Sequence, residues 1–154
     1  MAMNKEKNTF IVSLISDTHL LARDLMSDSK DFITFTKFDR KLLVESEALL
    51  RRSLELIDEK NSKYILITGD LTKDGEKISH LEVAKILKEW KDKDKTREIF
   101  ILPGNHDINN RDAFDFSKKQ RAENIAPKDF LDIYDFAYNN SHILELYKDS
   151  QIFK

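Results

Sequence analysis

Three short stretches of the chain each set polar, metal-competent side chains at the end of an apolar run. Ile99-Phe100-Ile101-Leu102 is cut off by Pro103-Gly104 and followed by Asn105, His106 and Asp107. Phe10 to Ser16 (FIVSLIS) breaks into Asp17-Thr18-His19, and Tyr64 to Thr68 (YILIT) into Gly69-Asp70. Carboxylate, imidazole and amide oxygen are hard or borderline donors, a set suited to Mn, Zn or Fe rather than to a soft metal. Asp17 and His19 are two residues apart and project to one side of a strand, so a single ion takes both. Asp70, from the next strand, is placed to bridge that ion to a second, and Asn105 suits the second ion. Two metals roughly 3.5–4 Å apart clamp a phosphate and make a bridging water nucleophilic near neutral pH. His106 is placed to donate a proton or to bind a phosphoryl oxygen, with Asp107 orienting its ring.

These tips need strands to carry them. Each apolar run is short and rich in β-branched or aromatic residues, the pattern of a buried strand, and Gly or Pro punctuates its end. Open α/β sheets gather ligands at the carboxyl ends of such strands. Between the first two runs, Leu20 to Phe38 reads as an irregular polar loop with Phe32, Phe35 and Phe38, long enough to wall a site. Asp39 to Asn61 predicts a long helix, with Leu43, Leu50, Leu54 and Ile57 on one face and Leu42, Leu49 and Leu56 beside them. Asn61-Ser62-Lys63 then turns into the second strand. Ser79-His80-Leu81-Glu82 fits the capping-box pattern, so a further helix starts within a few residues of it, with Val83, Ile86, Leu87 and Trp90 on its buried face. Lys91 to Arg97 is a charged connector. The order strand, helix, strand, helix, strand implies a parallel sheet with right-handed crossovers. Ile108 to Ala126 reads as loop with a turn or two of helix near Ala113 to Gln120. Pro127 opens another helix, with Phe130, Tyr134, Ala137 and Tyr138 on one side, ended by Asn139-Asn140-Ser141. His142 to Lys154 has no clear period.

Composition narrows the classes. The 154 residues suffice for one domain with a core of its own. With 26 Lys plus Arg against 28 Asp plus Glu, the formal charge of −2 carries no basic nucleic-acid footprint. Cysteine is absent, so disulfides and thiolate sites are excluded, and the chain suits a reducing, cytoplasmic setting. No run approaches the roughly 18 to 20 apolar residues of a membrane span. Phe10 to Ile15 is too short for a signal peptide core and runs into Asp17 without a small-residue cleavage site. Met1-Ala2 ahead of Met3 leaves room for a leader removed upstream.

Asp17-x-His19, Gly69-Asp70 and Gly104-Asn105-His106-Asp107 resemble, in order and spacing, the first three motifs of the calcineurin-like metallophosphoesterases. The resemblance covers most of residues 10–110. It implies that Asp17 and His19 bind one metal, that Asp70 bridges, that Asn105 binds the other, and that His106 assists the leaving group. The wording Gly69-Asp70-Leu71-Thr72-x-x-Gly75-Glu76-x-x-Ser79-His80 is similar to the bacterial branch related to class III cyclic-nucleotide phosphodiesterases. The implied fold is α/β, a four-layer α/β/β/α sandwich of two sheets, of which this chain holds the parallel β-α-β-α-β half. The implied chemistry is hydrolysis of a phosphomonoester or phosphodiester, cyclic nucleotides included, by a hydroxide held between two divalent ions (Mn, Fe or Zn). The family completes its site with later histidines in Gly-His and Gly-His-x-His motifs. The four histidines here include none of these, so residues 1–154 read as one incomplete, amino-terminal domain with a second metal site lacking ligands. The expected consequences are weak or absent turnover and self-association through the sheet face that a second sheet would cover.

The plainer readings compete residue by residue. Any one of Asp17, His19, Asp70 or Asn105 alone would pass as turn and cap chemistry; three tips in the same context point to a site. A structural hydrogen bond is the alternative for His106 and Asp107. His80 reads as a helix-start residue near the site loop, His142 as a surface residue, and Trp90 with the Phe and Tyr set as core. The main functional alternative is a catalytically incompetent fragment that keeps partial metal or phosphate binding. A nucleotide-binding module without chemistry ranks last, since no Gly-rich phosphate loop supports it.

Overall fold

A computed structural model describes residues 10–138. Three parallel strands, β1 (Val12–Ile15), β2 (Tyr64–Ile67) and β3 (Glu98–Ile101), form a sheet in the order β1-β2-β3. The register aligns Ser13, Ile65 and Ile99 in one row and Ile15, Ile67 and Ile101 in the next. Because side chains alternate across a strand, these two rows share one face, and the five isoleucines among them are buried. That face is covered by α2 (Ser46–Glu59), through Leu50, Leu54 and Ile57, and by α3 (Lys77–Asp92), through Val83, Ile86, Leu87 and Trp90. Trp90 is pinned as well as buried. Its indole N–H donates to Asp58 Oδ1 at 2.6 Å, and the Arg97 guanidinium lies 4.4 Å from its ring. The α/β architecture with a parallel sheet thus agrees with the expectation from sequence.

Val12, Leu14, Tyr64, Leu66, Phe100 and Leu102 occupy the opposite face. All are exposed among the described residues, Leu14 at 66% and Phe100 at 46%. On the outer edge of β3, α4 (Pro127–Ile133) and α5 (Asp135–Tyr138) close in. Phe130 and Tyr134 are fully buried, and the Tyr138 hydroxyl donates to the Ile101 carbonyl at 2.5 Å. No helix among the described residues is long and apolar enough to cross a membrane.

Several sequence expectations are corrected. Leu20 to Phe38 is not a plain loop: a 3-10 turn at Arg23–Leu25 leads to α1 (Lys30–Phe38), opened by Ser29, whose hydroxyl accepts the Phe32 N–H. Phe32 and Phe35 pack on Phe116 at 4.9 and 5.0 Å between ring centres, while Phe38 stays exposed. Residues 39–45 are turn rather than helix, so α2 is shorter than the predicted Asp39 to Asn61; Leu43, buried ahead of it, belongs to a satellite cluster with Leu21, Ala22, Leu25 and Phe32. The helix expected to start within a few residues of Ser79 does so, at Lys77, with Glu76 rather than Ser79 at its cap position. Ser79 faces inward instead, its hydroxyl accepting the Ala22 N–H at 3.1 Å. Ala113 to Gln120 holds no helix but a two-stranded hairpin, β4 (Phe114–Asp115) and β5 (Gln120–Arg121). The expectations for Asn139 to Ser141, His142 and the tail to Lys154 lie outside the described residues.

Candidate metal centre

Pairing between the first two strands does not stop where the strands end. Asp17 N–H donates to the Gly69 carbonyl, His19 N–H to that of Asp70, and Leu20 N–H to that of Leu71, at 3.2, 3.0 and 2.9 Å. The two loops therefore run side by side past the sheet and carry their polar residues together. Asp17, His19 and Asp70 each present a ligand atom, and these atoms all lie within 4.8 Å of one another. All three residues have positive φ, of 56°, 41° and 51°. Non-glycine residues rarely occupy this left-handed region, and such strain is held where surrounding structure over-determines the backbone, often at functional sites.

The loop after β3 is pressed onto the same point by two glycines. Gly69 has φ +100°, and a Cβ there would sit 2.5 Å from the Gly104 nitrogen; a Cβ on Gly104 would run into the Asp70 carboxylate. Only glycine at both positions permits this approach. His106 N–H then donates to Asp70 Oδ1 at 3.1 Å. Asn105, between Gly104 and His106, is exposed on this loop.

The imidazoles are set by their second nitrogens. His19 Nδ1 lies 3.3 Å from the Thr72 carbonyl, so Nδ1–H donates there and Nε2 is left for a metal. Burial, followed by the charge of Lys41, lowers the His19 pKa and favours the neutral, ligating form. His106 Nδ1 lies 2.9 Å from Asp74 Oδ1, which fixes its N–H on that side and frees Nε2. The two rings meet edge to face, 5.1 Å between centres.

The carboxylate that orients His106 is thus Asp74, where Asp107 was expected. Asp107 has no exposed surface and does something else. Its Oδ2 accepts the backbone N–H groups of Leu71 and Gly104, at 3.1 and 2.7 Å; its Oδ1 accepts the N–H and hydroxyl of Thr72, at 3.0 and 3.1 Å. One side chain therefore ties the loop carrying Asp70 to the loop carrying Asn105. Behind it, His80 is a fully buried member of α3. Its Nε2 lies 2.9 Å from the Asp107 carbonyl and its Nδ1 2.9 Å from the Tyr134 hydroxyl, an arrangement met by Nε2–H donating and Nδ1 accepting. Burial pushes the His80 pKa down and the Tyr134 hydroxyl well up, so both stay neutral.

Two charged residues at this site escaped the sequence reading. Asp74 had a signal, a carboxylate four residues after Asp70 in a loop with Gly75, whose φ is +80°. Lys41 had none, lying in a stretch whose leucine spacing reads as helix. Its Nζ reaches the Lys73 carbonyl at 3.2 Å and lies 3.5 Å from His106 Nδ1.

Two carboxylates and a neutral imidazole within reach of one point fit a divalent ion of the Mn, Zn or Fe kind, by donor chemistry and by spacing. No curated protein matches the chain. A family model described as calcineurin-like phosphoesterase matches residues 12–153, nearly its whole length, and the chain accordingly belongs to the calcineurin-like phosphoesterases, a family of hydrolases.

Proposed function

We propose that this chain is a metal-dependent phosphoesterase that hydrolyses phosphomonoester or phosphodiester bonds at the tips of β1, β2 and β3. The observation that carries the reading is the convergence of Asp17, His19 and Asp70, each in a strained backbone conformation, on one point beside His106. Asp17, His19 and Asp70 would hold a first divalent ion, and Asp70 with Asn105 would hold a second. When bound, such ions supply an activated water and a clamp on the phosphoryl oxygens. His106, its Nδ1–H directed to Asp74, presents Nε2 to the ester and, when the ring is doubly protonated, gives the Nε2 proton to the departing oxygen, leaving the neutral ring with its N–H on Asp74.

The likeness to the cyclic-nucleotide phosphodiesterase branch rests on residues 69–80, and much of that stretch serves as scaffold. Gly75 makes the turn, Glu76 sits buried at the start of α3, and Ser79 and His80 hold neighbouring segments. These contacts bear on the loop's shape more than on the substrate, so phosphodiesters, cyclic nucleotides among them, stand beside phosphomonoesters as the substrate class.

A second reading, a fragment that binds metal or phosphate and turns over little, is favoured by the imidazole supply. His80 is committed to the core and only His19 joins the ligand cluster among the described residues. We expect low turnover for the 154-residue chain on these grounds. The test is hydrolysis of p-nitrophenyl phosphate and bis-p-nitrophenyl phosphate with added Mn, beside Mn binding by calorimetry. Turnover that falls in Asp70→Asn by at least the roughly 100-fold that losing an outer partner of a metal can cost supports the enzyme. Mn binding without turnover supports the fragment, and neither binding nor turnover refutes both.

A further inference from the structure

Lys41 enters the site from the turn between α1 and α2, an excursion that the strand tips do not require. Its backbone N–H donates to Asp39 Oδ1 at 2.9 Å, which shapes the turn and aims the side chain inward. The half-buried ammonium gives one hydrogen bond to the Lys73 carbonyl, at 3.2 Å. Its other near neighbour, His106 Nδ1 at 3.5 Å, already directs its N–H to Asp74 and accepts nothing. No carboxylate among the described residues comes within 4.0 Å of the Lys41 ammonium. The Asp74 carboxylate is spent on His106 and on the neighbouring Lys73. A lysine has three donors, so at least one is unspent beside two imidazoles and a metal-competent cluster.

We infer that Lys41 is a substrate-binding residue, whose ammonium holds a non-bridging phosphoryl oxygen of the ester beside His106. A structural role would be met by the carbonyl bond alone. What the structure adds is a fixed cation with donors to spare beside the His106 ring. The anion it recognises is a phosphoryl group, in substrate or in the phosphate product. The inference rests on the phosphoesterase reading for the identity of that anion.

The test uses the whole chain with Mn and measures inorganic phosphate binding by calorimetry, alongside turnover of both nitrophenyl esters, in wild type, Lys41→Met and Lys41→Arg. A charge-assisted hydrogen bond lost from an anion site weakens binding roughly tenfold to a hundredfold. The expected result is that loss of phosphate affinity in Lys41→Met, with Mn affinity and melting temperature near wild type and partial recovery in Lys41→Arg. Where turnover is measurable, the loss falls on KM or on kcat/KM for both esters. Unchanged phosphate affinity in Lys41→Met overturns the assignment, as does a wild type that binds Mn and no phosphate. A chain that binds phosphate through Lys41 but hydrolyses neither ester leaves the inference standing while the catalytic reading fails.

Discussion

Asp107→Asn separates a residue that works on the substrate from one that holds the site together. The carboxylate takes four donors, two on each oxygen. An asparagine of the same shape keeps one acceptor oxygen and turns the other position into a donor. Its best placement keeps the oxygen toward Leu71 and Gly104, since Thr72 can rotate its hydroxyl to accept from the new amide while the backbone N–H of Leu71 or Gly104 cannot. One buried donor, the Thr72 N–H, is then orphaned, at about 1–3 kcal/mol. The two bonds that survive lose their ionic partner, weakening each by about 1 kcal/mol. Relief from burying a charge offsets part of this. The net expectation is a loss of about 2–4 kcal/mol, a large share of the roughly 5–15 kcal/mol that holds a domain of this size. Urea unfolding followed by circular dichroism reads it directly, and Mn calorimetry should show weakened binding, because the freed loops carry Asp70 and Asn105. A variant within about 0.5 kcal/mol of wild type, as ordinary surface substitutions are, would refute the clamp; a fall in turnover at unchanged stability would return Asp107 to the role of orienting His106.

Two further outcomes are expected. Burial lowers the His80 pKa below the model-peptide 6.5, so the unfolded chain binds this proton more readily, and His80 removes stability as pH falls below 6.5, by up to about 1.4 kcal/mol per pH unit. His19 acts in the same direction and Glu76, whose pKa burial raises, in the opposite one; the clean readout is therefore the His80 ring by NMR, expected to protonate only below the range of an exposed histidine, and an ordinary titration there would refute the buried tautomer. The apolar face of the sheet should drive self-association, so sedimentation at micromolar concentration is expected to show a species larger than the monomer that Leu14→Lys with Phe100→Lys dissociates; a monomeric wild type would show that the face is covered or tolerated.

The strands were readable because burial on one face leaves a run of β-branched residues that little else produces, and the helices because Leu50, Leu54, Ile57 and Val83, Ile86, Leu87, Trp90 repeat at helical spacing. What escaped was local. The Ser79 capping-box pattern marks the helix start to within two residues, but its hydroxyl is recruited by the Ala22 N–H and caps nothing. The excursion from Leu20 to Phe38 hid α1 because its aromatic residues pack on Phe116, far along the chain. The β4–β5 hairpin, two residues to a strand, is too short to leave a period.

The site itself divides along a similar line. Asp17, His19 and Asp70 could be located because their types announce the chemistry and their strands announce the place. What the sequence conceals is the means of holding them, since three consecutive strand tips do not by themselves bring ligand atoms within 4.8 Å. Left-handed φ at all three residues turns the side chains toward one point, and isolated peptides do not favour that conformation. Something has to hold the strained turns, and the contacts that do so are made by residues with no ligand chemistry in prospect: Gly69 and Gly104 by having no Cβ, Thr18 by donating its hydroxyl to the Leu71 carbonyl at 2.7 Å, and Asp107 by gathering four donors. These contacts predict a cluster whose geometry the loops' mutual packing sets before metal arrives. A metal that met a preformed site would change little of the backbone on binding, and one that had to gather three free loops would order them; hydrogen exchange at Leu71, Thr72 and Gly104 with and without Mn distinguishes the two, with protection already present in the metal-free chain as the outcome this packing requires.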